Sequence, residues 1–218
     1  MDSLEQDALE VLSLVRSLKN SIAPINRIPP EVLSLVPDYR SGKHMDRDLI
    51  ALTHVCRSWR ETFTSRSSLW TRLPLKDTDK TRAYIQRSKC SPLKISLHAD
   101  DGLYRAFRDA IPLIIPNIRR FQTLFVRGET PPDALKHFCC HTPLLEELDV
   151  SISGPGDLVL DSALFNGDLS SLRKLTLGGV ITQFPWKNMA SLRVVSLKGC
   201  VAGHPISRLR PSPAHNPA

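Results

Sequence analysis

Six apolar residues near the start of the chain, Leu4, Ala8, Val11, Val15, Leu18 and Ile22, recur at alternating steps of four and three. That spacing predicts a helix over residues 2–22 with a heptad-type seam along one face. Three heptads are marginal as a free coiled coil, so the seam is expected to pack on the segment that follows. Pro24 ends the helix. Next, Pro29-Pro30-Glu31-Val32-Leu33 reads as a helix start. A proline there forfeits an N–H that would be unpaired anyway, and Glu31 lies near the positive helix end. Pro37 is expected to close this helix after barely two turns, ahead of a polar loop from Asp38 to Lys43. Leu49, Leu52, Val55, Cys56, Trp59 and Phe63 then recur at three- and four-residue steps and predict a further helical run. Asp46 is its expected N-cap, with Asp48 in the first turn. Ser67-Ser68-Leu69-Trp70 begins one more helical turn.

From residue 74 onward the period changes. Leu93-x-Ile95-x-Leu97 alternates as a strand does, and Leu103 to Ala110 reads as a helix ahead of Pro112. Four segments fit one L-x-x-L-x-L template: Phe121-x-x-Leu124-x-Val126, Leu145-x-x-Leu148-x-Val150, Leu172-x-x-Leu175-x-Leu177 and Leu192-x-x-Val195-x-Leu197. Their central positions lie 24, 27 and 20 residues apart, the range in which each turn of chain lays a short strand beside the previous one. Cys200 falls at the Asn/Cys position of that template, and Thr130-Pro131-Pro132-Asp133 predicts a helix start leading into Ala134 to Cys140. Pro205, Pro211, Pro213 and Pro217, with almost no large apolar residue among them, predict a disordered tail over 204–218. No polar cap over the last repeat is visible. The chain is therefore expected to abbreviate a longer repeat protein, or to have its open end covered by a partner.

Composition narrows the class. With 218 residues, 41% of them hydrophobic and 23% charged, the chain is globular and has room for one ordinary domain or two small ones. Five cysteines without disulfide-framework spacing, and an acidic start where a secretory signal would be basic, predict a soluble protein of the cytoplasm, the nucleus or both. The longest apolar stretch, Ile111 to Ile115, is broken by Pro112, so no membrane span is expected. The net charge of +7 is concentrated in residues 27–90, which carry 13 basic against 7 acidic side chains. Such an excess suits phosphates or an acidic protein surface, and composition alone does not choose.

Catalytic chemistry is hard to assemble. His137, Cys139, Cys140 and His141 bunch together, but adjacent cysteines on a helix diverge and no second ligand pair follows, so no metal is expected. Glu146-Glu147 reads as the solvated edge of a strand, and Gly154, Gly156, Gly178 and Gly179 fit no phosphate-binding spacing. No nucleophile elbow or catalytic triad can be nominated. Neither a catalytic residue nor a cofactor is expected, and the chain is not read as an enzyme.

Taken together, Ile28-Pro29-Pro30-Glu31-Val32-Leu33, Val55-Cys56-Arg57-Ser58-Trp59-Arg60 and Leu69-Trp70 resemble, in order and separation, the F-box. The resemblance is strongest to the large fungal families in which irregular leucine-rich repeats follow the box. It implies a three-helix fold that docks on a Skp-family adaptor, itself joined to a cullin and a RING subunit. The positions it carries to that adaptor are Ile28, Pro29, Glu31, Leu33, Leu49, Leu52, Val55, Trp59, Leu69 and Trp70. Taken singly, Trp59, Trp70, Leu52 and Val55 read first as the core of a helical cluster, whereas Ile28, Pro29 and Glu31 at a proline-led helix start read more as a surface. Many F-boxes continue the first helix into an Ile-Phe pair; this chain has Val36-Pro37-Asp38-Tyr39. The expected architecture is α+β and multidomain. It comprises an amphipathic helix at 1–24, a three-helix F-box at 25–75, a short irregular leucine-rich-repeat-like α/β solenoid at 76–203 and the tail at 204–218. The implied function is substrate recognition for an SCF-type ubiquitin ligase, with the repeats holding a target protein. The alternative is a repeat-type interaction module uncoupled from any ligase, and nucleic acid is the weakest candidate partner.

Overall fold

The computed structural model describes residues 3–39, 45–99, 103–128, 135–152, 158–160, 163–182 and 189–202. The expectations for the loop around Gly42, the helix start at Thr130 to Asp133, Gly154 and Gly156, and the tail at 204–218 lie outside those residues. Two compact units are present, Met1–Thr71 with Ala83–Ser91, and Arg72–Arg82 with Pro92–Ala218.

In the first unit α1 (Ser3–Ile22) forms where the heptad spacing placed it, with Glu5 in its first turn and Lys19 in its last, each opposing the helix dipole. None of its residues is buried. The seam does not pack on the following segment as expected. Instead the polar positions Ser13, Arg16, Ser17 and Asn20 line a cleft whose far wall is Cys56, Ser58 and Glu61. The physical reason is that the neighbouring helices close a core of their own. Leu33, Trp59 and Phe63 are buried there, with Ile28, Leu52, Cys56 and Leu69 packed around them, and the cleft beside α1 is lined mainly by polar side chains.

A 3-10 turn at Pro24–Arg27 leads into α2 (Pro30–Leu33), whose N-cap is Pro29. This helix stops at Ser34, before Pro37 rather than at it. The Ser34 hydroxyl donates to the Glu31 carbonyl at 2.6 Å and Arg66 donates to the Ser34 carbonyl at 2.8 Å, so the end of the turn is capped by side chains. Pro37 sits inside a second 3-10 turn, Val36–Tyr39. The apolar run from 49 to 63 is also divided, into α3 (Met45–Thr53) and α4 (Arg57–Ser65). Cys56 between them is extended, with φ −158° and ψ 176°. The freed Thr53 carbonyl accepts from Arg60 Nε at 3.0 Å, while the Thr53 hydroxyl turns back to the Ile50 carbonyl at 2.7 Å. Ser67–Trp70 is the single helical turn expected. It delivers Trp70 to full burial, its indole N–H donating to the Phe63 carbonyl at 2.9 Å and its ring meeting Tyr84 edge-on at 4.8 Å. Tyr84 lies on α5 (Thr78–Ser88), whose first turn is capped by Asp77: its carboxylate accepts the Lys80 backbone N–H at 3.0 Å.

The second unit is built on a parallel sheet. β1 (Leu93–Ala99), β2 (Phe121–Gly128), β3 (Glu147–Ile152), β5 (Lys174–Gly178) and β7 (Val194–Lys198) lie side by side in chain order. Every pairing in it is parallel. The template positions share one rung: Ile95, Leu124, Leu148, Leu175 and Val195 are register partners, and Leu97, Val126, Val150, Leu177 and Leu197 form the next. These side chains are buried in the first four strands, but Val195 and Leu197 at the far edge are about half exposed, at 49% and 53%. Cys200 donates to the Leu177 carbonyl at 3.4 Å, tying one turn of chain to the last. A second, three-stranded parallel sheet of β4 (Leu158–Leu160), β6 (Val180–Thr182) and β8 (Val201–Ala202) had no counterpart in the sequence reading. This arrangement of a helical N-terminal region and a parallel α/β region is consistent with leucine-rich-repeat-like stacking.

Two helix expectations are corrected. α6 (Leu103–Ile114) runs through Pro112 instead of ending before it. The proline removes only the partner of the Arg108 carbonyl, on an exposed residue that water can serve, while Ala110, Ile111 and Ile114 keep the helix face buried. Leu135 to Cys140, expected as helix, form a turn at Leu135 to His137 followed by irregular chain. Phe138 is buried there, between Phe121 at 6.0 Å and Phe165 at 6.4 Å between ring centroids, and that anchoring sets the local path.

Candidate functional site

Asn26 organises the start of the site, although nothing in the sequence pattern singled it out. Its side-chain amide N–H donates to the Asn20 carbonyl near the end of α1 at 2.7 Å. Its oxygen accepts the Trp59 indole N–H at 2.7 Å and faces the Cys56 thiol at 3.9 Å. One side chain therefore joins α1 to the core tryptophan. The chain then emerges through Arg27 and Ile28 into the proline-led turn.

The ten positions nominated from sequence separate into three sets. Leu33, Leu49, Trp59 and Trp70 are buried. Ile28, Leu52 and Leu69 are half-buried and pack against the core around Trp59 and Phe63. Pro29, Glu31 and Val55 are exposed. Only the last set, with the outer edges of the second, can touch a partner without unfolding. The first set holds the surface in shape.

The exposed set is larger than the nomination. Val32, Leu35 and Val36 are 53%, 43% and 38% exposed, and Ile25 is 47% exposed. Val32 lies on α2, Leu35 just past its end and Val36 at the start of the next 3-10 turn, so all three are exposed along one short stretch of chain while Leu33 faces the core. The signal was in the spacing, since a one-turn helix with apolar residues on both sides cannot bury both. Exposed Arg27, Arg57 and Arg60 lie in the same unit, with Glu31 and Glu61 as exposed acids. An exposed apolar strip in a unit that carries these arginines is a binding surface. It can hold an apolar and acidic protein surface.

The parallel sheet offers a second surface. Residues between the buried rungs point the other way, placing Ser96, Phe125, Asp149, Thr176 and Ser196 in register, with His98, Arg127 and Ser151 beside them. Asp149 accepts from Arg127 and from the Ser151 hydroxyl at 2.8 Å, and the Arg127 guanidinium lies 5.9 Å from the Phe125 ring centroid. Lys174 pairs with Glu147 at 2.5 Å. The face is polar, patterned and fixed by its own ion pairs.

The His/Cys cluster is dispersed among other partners. His141 pairs with Asp168 at 2.6 Å, and the Cys139 thiol bonds the Lys136 carbonyl at 2.8 Å. Among the described residues no group of three or more His, Cys, Asp or Glu side chains is placed to hold a metal ion. No helix among them is long and apolar enough to cross a membrane.

Comparison with known families matches residues 25–76 to the F-box-like model. No curated protein matches the chain. The matched stretch spans the proline-led turn, the Trp59 core and the buried Trp70, and it ends just short of Asp77, which caps α5. Residues 25–76 of this chain are an F-box-like domain.

Proposed function

We propose that the chain is a substrate-recognition adaptor of an SCF-type cullin–RING ubiquitin ligase. The F-box-like domain docks on a Skp1-family adaptor, and the parallel sheet, read as irregular leucine-rich repeats, holds the target protein. The observation that carries the reading is the F-box-like match at residues 25–76, supported by the exposed apolar strip beside its proline-led turn. F-box adaptors are non-catalytic, and this chain's part is positioning. Tethering a target to the ligase replaces a bimolecular encounter by a high local concentration. Pro29, Glu31, Val32, Leu35 and Val55 are assigned to the adaptor contact, and Phe125, Arg127 and Lys174 to the target face, where buried Asp149 holds Arg127 in place. An intracellular site of action, cytoplasmic or nuclear, goes with this role.

The test is capture of a purified Skp-family adaptor by the full chain. Changing Val32 and Leu35 together to Asp is expected to abolish capture with circular dichroism unchanged, because neither side chain is in the core. Undiminished capture by that double variant would sink the assignment. A Leu33→Ala change is a poor test, since Leu33 is 3% exposed and its truncation costs about 2–5 kcal/mol of stability.

A second reading rests on the four-residue length of α2. A first helix this short offers a small contact, and a chain that fails to capture the adaptor while still binding a target through its sheet would be an interaction module uncoupled from the ligase.

A further inference from the structure

The seam of α1 points away from the F-box-like domain. Leu4, Val11, Val15, Leu18 and Ile22 are between 55% and 82% exposed, and Leu12 and Leu14 flank them at 44% and 64%. The opposite, polar side of the helix is already engaged along the cleft formed with Cys56, Ser58 and Glu61. Asn26 fixes the helix end through the Asn20 carbonyl, so rotating the seam inward would break that bond. An apolar stripe along a 20-residue helix is more than a soluble surface leaves uncovered without a partner.

The pattern of the stripe identifies the partner. Laid antiparallel on its own copy, α1 overlaps over nearly its whole length. Leu4 then meets Ile22 of the second copy, Ala8 meets Leu18, and Val11 meets Val15, each pair occurring twice by symmetry. The flanking positions are self-complementary in the same register. Glu5 stands opposite Lys19 of the second copy, Leu12 opposite Leu12, and Leu14 opposite Leu14. The acids Glu5, Asp7 and Glu10 all lie in the first half of the helix, and the bases Arg16 and Lys19 in the second. Antiparallel pairing joins acidic half to basic half. Parallel pairing would set Ala8 on Ala8, place Asp7 beside Leu12 and Leu14 beside Lys19, and bring the acidic halves together.

We propose that the chain dimerises through α1, as an antiparallel two-helix pair with a second copy of itself. Three heptads are marginal when two free peptides must also fold, but here each helix is already formed and fastened to its domain. A helix about 30 Å long presents a contact at the small end of specific interfaces. The dimer is therefore weak and concentration-dependent, with a dissociation constant on the order of micromolar.

Sedimentation velocity of the full chain tests this. The 24.4 kDa chain is expected to double in mass as concentration rises through the micromolar range, and Val15→Asp to hold it monomeric with helical circular dichroism retained. Glu5→Lys and Lys19→Glu are each expected to weaken the dimer about tenfold, since each sets two like-charge pairs across the seam. Mixing those two single variants is expected to restore association, because the reversed charges become complementary while each helix keeps its own substitution. Both sites are exposed, so this series stays decisive even if Val15→Asp perturbs folding. A chain that stays monomeric throughout overturns the proposal. So does a dimer indifferent to the two charge reversals and to their mixing. Adaptor capture is read separately, and its failure leaves this result untouched.

Discussion

Asn26 holds two elements with one side chain, and its amide has only one orientation that serves both. The oxygen must face the Trp59 indole, a pure donor, and the N–H must face the Asn20 carbonyl, a pure acceptor. Asn26→Ala leaves the indole N–H of a nearly buried tryptophan without its acceptor, a loss of about 1–3 kcal/mol. Urea denaturation followed by tryptophan fluorescence is expected to show it, and a variant as stable as the parent would contradict the bridging role. Gly179 is a second residue whose identity is forced. It has φ +62°, its N–H donates to the Lys198 carbonyl at 2.9 Å, and a Cβ there would lie 2.5 Å from the Ile152 carbonyl oxygen. Gly199 has nearly the same φ, +60°, but nothing within 4 Å of its would-be Cβ. Gly199→Ala is therefore expected to cost only the left-handed backbone penalty, about 1–2 kcal/mol. Gly179→Ala adds a backbone clash to it and is expected to melt at the lower temperature. Equal melting temperatures for the two variants would remove the clash from the account.

At the scale of elements, how much was legible depended on whether a period survived the chain's own interruptions. The L-x-x-L-x-L template by itself places Leu124, Leu148, Leu175 and Val195 on one rung, because alternation alone decides which side chains face inward. The second sheet was illegible, since strands of two or three residues are too short to show a period. Val55 kept helical phase with Leu52 and Trp59 yet lies in the turn at Cys56, 54% exposed. Apolar spacing continued through a break that hydrogen bonds of Thr53 and Arg60 impose. The candidate site was half legible for the same reason: the motif located the proline-led turn, but periodicity cannot tell a face covered by core from one awaiting a partner. The start of α5 gives an element-level test. Hydrogen bonding from the Lys80 backbone N–H holds the Asp77 carboxyl below its ordinary value of 3.8, with the Lys80 side chain adding to it. A depressed carboxyl contributes stability above the unfolded value, and that contribution is lost as pH falls through the folded one. Asp77→Asn is expected to be less stable than the parent at neutral pH, with the difference closing as pH drops below about 3.8. A difference that persists unchanged at pH 2 would show that charge at this cap is not its source.

For the molecule as a whole, charge bears on how the proposed adaptor contact forms. Residues 27–90 hold 13 basic and 7 acidic side chains, and their bases are interleaved with acids rather than gathered into one patch. A scattered excess of this kind attracts an acidic partner at long range and contributes little once surfaces meet, because exposed pairs are screened within about 10 Å at ordinary salt. The burden of affinity then falls on the apolar strip at Val32, Leu35 and Val36. The association rate with a Skp-family adaptor is accordingly expected to fall severalfold between low and physiological salt, while the dissociation rate changes little. Stopped-flow measurement at a series of salt concentrations separates the two. A flat association rate would remove charge steering from the mechanism. A dissociation rate that climbs steeply with salt would show instead that ion pairs, not apolar contacts, hold the complex. Duplex DNA serves as the counterexample in the same series. Phosphate binding loses affinity steeply with salt through released counterions, so retention of DNA with a steep salt slope, beside an indifferent adaptor, would move the basic segment to the nucleic-acid reading.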